Sequence, residues 1–211
     1  MICLNRGRLW RDYLTASTGE TIIERSSQQI RDELLVIRCR RRDLAAWDEL
    51  VSLWNDRLLY FVRRLIDHEQ DAANVLQEVW LSAFRGIGAL KQDSRLAPWL
   101  YTVARRSAMN HYRGRFAQSD ALAADVIDAD DLANKNDVQL DLENAELVHF
   151  GLGKLELHHR EILTLYFLDD LTIGEIAAVL EVPSGTVKSR LSKARRELRR
   201  VLTEEVTRHE R

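Results

Sequence analysis

Between residues 44 and 66, apolar side chains recur every three or four positions, which is the spacing of one face of an α-helix. This stripe consists of Leu44, Trp47, Leu50, Val51, Trp54, Leu58, Phe61, Val62 and Leu65. A second stripe occupies residues 72–84, and a third occupies residues 96–103 with Pro98 in its first turn, where the missing N–H costs little. Three amphipathic helices so close in sequence can bury one another, so we predict a compact helical domain.

A second group of helical patterns lies in the last third of the chain. Thr172 and Glu175 have the spacing of a capping box at the start of a short helix. After a turn, a basic helix follows whose apolar seam is Val187, Leu191, Ala194, Leu198 and Leu202. A short helix, a tight turn and a longer helix together are typical of a helix-turn-helix.

Nine glycines and two prolines in 211 residues argue against a turn-rich β protein. We therefore predict an all-α chain of two small helical domains, a bundle of three or four helices at 31–115 and a helix-turn-helix domain at 147–205. Residues 116–146 are acidic and weakly periodic, which indicates a linker. Residues 1–30 show no clear period and are expected to be a poorly ordered extension.

Charge is strongly segregated, although the formal net charge is only −2. Residues 118–147 hold nine acidic side chains and one Lys, whereas residues 94–115 hold five Arg and no acid. Residues 184–200 hold seven Lys or Arg and one Glu. Such segregation favours two basic nucleic-acid-binding segments, and the acidic linker could screen both of them.

The basic helix has the features of a DNA-reading element. A basic amphipathic helix is by itself more often a solvated face, but here a turn precedes it and small polar residues begin it. The residues expected to meet base edges or nearby phosphates are Ser184, Gly185, Thr186, Lys188, Ser189, Arg190, Lys193 and Arg195, with Gly185 letting the backbone approach a phosphate closely.

The basic segment at 94–115 interleaves arginines with Trp99, Tyr101, His111 and Tyr112. Positive charge beside aromatic rings suits a single strand, whose unstacked bases can lie on π faces. The alternative is that Trp99 belongs wholly to the core.

No residue pattern indicates catalysis, a cofactor or a metal. His158 and His159 are adjacent, so on a helix they should point in different directions and make a poor metal pair. Cys3 and Cys39 are isolated and are interpreted as incidental thiols. There is neither a signal peptide nor an apolar run long enough to span a bilayer, so a cytoplasmic protein with no membrane insertion is expected.

Three segments, "DAANVLQEVWLSAF", "APWLYTVARRSAMNHYRGR" and "GTVKSRLSKARREL", resemble the extracytoplasmic-function (ECF) sigma factors of bacterial RNA polymerase. The resemblance covers residues 33–113 and 147–202. It implies a promoter-specificity subunit, not an enzyme, which binds core polymerase through the β′ clamp helices and the β flap. It also implies recognition of the −35 and −10 promoter elements, help in melting the DNA, and control by an anti-sigma factor.

The resemblance assigns a role to each segment. The helix at 71–84, by default a solvated face, would dock on the β′ clamp helices through Asp71, Asn74, Gln77 and Glu78. The −10 element would be captured and melted by Lys91, Arg95, Trp99, Arg105, Arg106, Asn110 and Arg113. The helix-turn-helix at 172–195 would read the −35 element. Ala73 and Asn74 stand where the family commonly has acids, so two carboxylates are lost from the docking face. Leu96, Arg106 and Asn110 also depart from the usual residues, which leaves the melting segment more basic.

Two other classes of function fit part of the pattern. A stand-alone helix-turn-helix transcriptional regulator of the response-regulator output type would have a similar C-terminal part. It would lack the docking helix and the segment around Trp99. An adaptor that binds polymerase would not read promoters.

Overall fold

The computed structural model describes residues 21–90, 95–116, 145–168 and 171–209. Within these ranges the chain forms eight α-helices, one 3-10 turn (Ile87–Ala89) and no strand, which confirms the all-α prediction. The helices are α1 (Thr21–Arg40), α2 (Leu44–Leu65), α3 (Glu69–Gly86), α4 (Leu96–Phe116), α5 (Ala145–Lys154), α6 (Leu157–Leu168), α7 (Ile173–Leu180) and α8 (Ser184–His209). No helix among the described residues is both long and apolar enough to cross a bilayer.

Helices α1 to α4 form an N-terminal bundle around a core of aliphatic and aromatic side chains. Tyr101 of α4 is almost fully buried, and its ring meets Trp54 edge-on at 6.2 Å and Phe61 at 5.1 Å. Tyr101 is thus a core residue and not an exposed ring of the basic segment, because α4 turns this side of the helix towards α2.

Two residues of the predicted stripes remain largely in solvent. Leu44 is 74% exposed and Phe84 is 55% exposed. Leu44 directly follows the N-cap Asp43, whose side chain accepts hydrogen bonds from the N–H groups of Ala45 and Ala46, so capping fixes the backbone there without burial. Phe84 packs one side of its ring on Trp47, with the ring centroids 5.0 Å apart.

Helices α5 to α8 form the C-terminal part. Residues 145–168 form two helices, since α5 ends at Lys154 and α6 begins at Leu157. The capping box of Thr172 and Glu175 starts α7 as predicted. The predicted seam of α8 is buried at Val187, Leu191, Ala194 and Leu198.

The two helical groups pack directly against each other, α2 on α6 and α4 on α7. At one end of this contact, the Tyr60 hydroxyl lies 2.8 Å from His149 Nδ1. Nearby, Arg160 donates to the backbone carbonyl of Arg64 at 3.2 Å and to Asp67 at 3.4 Å. In this closed arrangement, the faces of α4 and α7 that meet are not available to other molecules.

Candidate nucleic-acid interface

The helix-turn-helix is built by α7, a short turn and α8. Glu181 ends α7 in the left-handed conformation (φ 58°), and its neighbour Val182 donates back to the carbonyl of Ala177 at 3.1 Å. This bond closes the last turn of the helix on the carbonyl of Ala177. The turn then delivers Ser184 to the first position of α8, with its side chain in solvent.

The first two turns of α8 present the predicted reading surface. Ser184, Gly185, Lys188 and Ser189 are exposed, and Thr186 is half-buried. Among the described residues, nothing outside its own stretch of helix lies within 4 Å of the place where a Cβ on Gly185 would stand, so this point is open to a ligand. An exposed helix N-terminus with lysine beside it suits an approaching phosphate or base edge.

Farther along α8, not every basic side chain points freely outwards. The Arg195 guanidinium lies over the ring of Tyr166 at 4.6 Å and near that of Phe167 at 5.8 Å. This stacking fixes the side chain against α6. Lys193 and Arg190 are half-buried.

Some of the residues predicted to bind the −10 element lie in solvent, and others lie at the contact between the two helical groups. Arg95, Asn110 and Arg113 are exposed, whereas Trp99 is half-buried and packs partly on the core. Lys91 lies outside the described residues.

Two arginines of this set are held by acids of the C-terminal part. Arg105 Nε donates to Glu161 Oε1 at 2.8 Å, and Arg106 donates to Glu181 Oε1 at 2.7 Å. The first pair is shielded, with 7% of the Glu161 side chain exposed, and the second lies in solvent. Both carboxylates therefore occupy donors that a DNA phosphate would use.

Glu161 lies between the two predicted DNA-binding sets. Its burial raises the pKa of the carboxyl, while Arg105 and, less strongly, Arg190 act in the opposite direction. Arg105 belongs to the predicted −10 set and Arg190 to the predicted −35 set, so one carboxylate interacts electrostatically with an arginine from each set.

Glu161 and Glu181 were missed by the sequence reasoning. The available signal at Glu161 is an acidic residue inside the apolar run "REILTLYF", because a buried carboxylate needs a partner. The sequence contained nothing to indicate that the partner would be Arg105 of the other domain.

The predicted polymerase-docking residues lie on the outer side of α3. Asn74, Gln77 and Glu78 are exposed there. Asp71 is half-buried, and its carboxylate lies 3.7 Å from His111 Nε2, which links α3 to α4.

Comparison with known families finds two matches, which cover both helical parts. Residues 50–117 match the family model described as Sigma-70 region 2. Residues 146–198 match the one described as Sigma-70, region 4. The order of the two matches along the chain is the order of the two helical groups.

Similar proteins cover nearly the same length. The RNA polymerase sigma-H factor of Pseudomonas aeruginosa is 33% identical over 183 residues, which are 82% of this chain and 95% of that protein. The ECF RNA polymerase sigma-E factor of Escherichia coli K12 is 29% identical over 178 residues, with coverage of 80% and 93%.

Solved structures share the fold. CnrH, solved in complex with the cytosolic domain of CnrY, superposes with a TM-score of 0.59 at 24% identity and covers 82% of this chain and 97% of that one. The sigma factor RpoE of Bartonella quintana, solved with the anti-sigma factor NepR, gives a TM-score of 0.57 at 24% identity, with coverage of 74% and 96%.

Proposed function

Because the chain belongs to the sigma-70 family, in its ECF group, we propose that it is the dissociable subunit that directs core RNA polymerase to promoters. The observation that carries this proposal is that a region 2 match and a region 4 match occur together in one chain. RNA synthesis itself would be left to the polymerase. The protein would act in the cytoplasm, where the polymerase works.

In this proposal, α8 reads the −35 element from the major groove. The exposed Lys188 and Ser189 would contact base edges, and Arg196 and Arg199 farther along the helix would hold phosphates. Such a division predicts that Lys188 affects which sequence is chosen, whereas Arg196 affects affinity for all sequences.

The −10 element would be captured and melted by α4 and the loop before it. Arg95, Asn110 and Arg113 are exposed and could bind the non-template strand at once. Arg105 and Arg106 first have to leave Glu161 and Glu181. Promoter binding at this surface therefore requires the two domains to separate, and binding to polymerase would supply the energy for that separation.

Docking on the β′ clamp helices would use the outer side of α3. Asn74, Gln77 and Glu78 form a polar face there that does not take part in the domain contact. An anti-sigma factor is a further expected partner, since the similar RpoE was solved with one.

The proposal is tested by run-off transcription with purified core polymerase on a promoter library. We expect initiation at a restricted set of promoters. Lys188→Ala should broaden that set, while Arg196→Ala should lower initiation evenly and reduce the salt dependence of binding.

The two variants also separate this function from its rivals. A stand-alone regulator would initiate no transcription with core polymerase, and it has no need for the region 2 segment at 50–117. An adaptor would bind polymerase but show no change in promoter choice with Lys188→Ala. Absence of specific initiation by the wild-type protein would refute the proposal.

A further inference from the structure

Three side chains that could bind a metal ion meet where α6 begins, and a fourth residue contacts one of them. One ligand atom from each of Glu156, His158 and His159 lies within 4.8 Å of the others. Glu197, from the middle of α8, forms a hydrogen bond with His159, and its Oε2 lies 2.7 Å from His159 Nδ1. Two imidazoles and one carboxylate thus come together in one short segment, and a second carboxylate from α8 supports one of the imidazoles.

Adjacent histidines were expected to point apart, but here they do not. The ring centroids of His158 and His159 are 4.1 Å apart, with the planes tilted by 56°. Both residues occupy the first turn of α6, and Glu156 precedes it without being part of a helix. The short connection between α5 and α6 therefore lets Glu156 approach His158, whose Nε2 lies 3.5 Å from Glu156 Oε2.

The surroundings of His159 resemble those of a metal-binding histidine. A metal-bound imidazole usually gives its other ring nitrogen to a carboxylate, which fixes the tautomer and the ring orientation. Glu197 holds Nδ1 of His159 in this way, which leaves Nε2 as the nitrogen for a metal. The side chain of His159 is only 11% exposed, so the ring is also held by packing.

We propose that Glu156, His158 and His159 form a binding site for a divalent transition-metal ion, best suited to Zn²⁺. Two imidazoles and one carboxylate are a ligand set that zinc accepts, with a water in the fourth position. Glu156 is largely in solvent, with 72% of its side chain exposed, so the ion can enter from that side. Small movements would bring the ligand atoms to the spacing of a tetrahedral site.

Bound zinc would hold Glu156 against the first turn of α6, and it would strengthen the bond between His159 and Glu197 of α8. The next residue, Arg160, crosses to the N-terminal bundle and contacts Asp67 and the carbonyl of Arg64. Through His159 and Glu197, the ion would therefore stabilise the contact between the proposed −35-reading helix and the helix that carries the domain contact. This inference does not depend on the proposed function and would survive its failure.

The test is calorimetric titration of the full chain, without an affinity tag, with Zn²⁺ alone. A Cys3→Ser background removes a second zinc-binding group, and Cys39 is buried. We expect one ion per chain, at least tenfold weaker binding for His158→Gln, and about tenfold to a hundredfold weaker binding for Glu197→Gln.

His68→Gln is the matched control, since His68 is exposed just before α3 and its side chain caps no helix. It should bind zinc as the parent does. His158 is preferred to His159 for the decisive variant because its side chain is less buried, and circular dichroism would verify that each variant folds. No saturable binding by the parent, or equal affinity for His158→Gln and His68→Gln, would overturn the proposal.

Discussion

Arg42 occupies a position at which glycine is favoured. It follows α1 with φ 61°, and its N–H donates to the carbonyl of Cys39 at 3.0 Å, while Asp43 donates to that of Arg38 at 3.2 Å. These two hydrogen bonds form the pattern of a Schellman motif, whose left-handed residue is usually glycine. The side chain of Arg42 is exposed, so its removal costs little packing.

Arg42→Gly should therefore raise the free energy of unfolding by about 1 kcal/mol, since a non-glycine residue in this conformation costs about 1–2 kcal/mol. Chemical denaturation followed by circular dichroism would measure it. Arg41→Gly is the matched control, because Arg41 is equally exposed but lies outside the positive-φ region. A gain of the same size in both variants would contradict the conformational explanation.

Glu161 should give stability an unusual pH dependence. Burial raises its pKa above the ordinary value of 4.5, so the folded protein holds its proton to higher pH than the unfolded chain does. Stability from this group is then fully present below pH 4.5 and falls as the pH rises towards the folded-state pKa. Replacing Glu161 with Gln removes the titrating group while keeping an acceptor for Arg105.

Denaturation midpoints of the wild type and Glu161→Gln should therefore be compared from pH 4.5 to pH 7. Over this range we expect the variant to gain stability relative to the wild type as the pH rises. Glu181→Gln is the control, since Arg106 lowers the pKa of Glu181 and its contribution is lost only below pH 4.5. An opposite slope for Glu161→Gln would mean that the ion pair with Arg105 outweighs the cost of burial.

At the scale of helices, the approach of α5 to α8 depends on Gly151. A Cβ on this residue would lie 2.7 Å from Leu198 Cδ1 and 2.7 Å from Leu202 Cδ2, so one of the helices or leucines has to move. Leu198 is almost fully buried and has little room to yield. At Gly153, two residues later in the same helix, a Cβ would meet no described atom of another element within 4 Å.

Gly151→Ala should thus lower the free energy of unfolding by about 1–3 kcal/mol through overpacking. Gly153→Ala should raise it by about 0.5–1 kcal/mol, because alanine loses less backbone freedom in a helix. Urea denaturation of the two variants provides the comparison. Equal effects would show that helix propensity, and not the contact with α8, decides the outcome.

The helices themselves could be predicted because their signals are local. The periodic stripes located α2, α3 and α4, and the spacing of Thr172 and Glu175 located the start of α7. The break between α5 and α6 has no such local signal, because the apolar run continues through Leu155, which is buried in the connection. The spacing of apolar residues indicates which positions are buried, and it cannot mark the end of a helix when a residue of the connection is buried as well.

The candidate sites were predictable to the extent that they depend on one helix. The exposed start of α8 follows from its apolar seam, which turns Lys188 and Ser189 outwards. The state of Arg105 and Arg106 was not predictable, because their partners lie 56 and 75 residues away in the other domain. Long-range pairs of this kind leave no trace in the spacing of either segment.

At the scale of the whole molecule, two sources of acidic side chains could screen the basic surfaces. The predicted linker at 116–146 is acidic, and residues 117–144 of it lie outside the described residues. Glu161 and Glu181 are described, and both contact arginines of α4. If the linker screens the basic surfaces, changing Asp125, Asp128, Asp130 and Asp131 to Asn should raise DNA binding in the absence of polymerase. If the domain contact screens them instead, this change should have little effect.

Reversing the charge of Glu181 tests the domain contact directly. Glu181→Arg replaces an attraction to Arg106 by a repulsion, and because both side chains lie in solvent the fold of each domain should survive. Glu204→Arg adds the same charge at an exposed position on α8 whose partner, Arg200, is in the same helix. The control therefore accounts for the gain in nonspecific affinity that any added positive charge produces.

We expect Glu181→Arg to bind single-stranded DNA roughly threefold to tenfold more tightly than Glu204→Arg at low salt, since an exposed pair contributes up to about 1 kcal/mol and its reversal adds a repulsion. Fluorescence anisotropy would measure the affinities, and small-angle scattering should show a larger radius of gyration for Glu181→Arg alone. Equal affinity and equal size for the two variants would mean that the contact between α4 and α7 does not limit access to Arg105 and Arg106. Screening would then have to be sought in the linker.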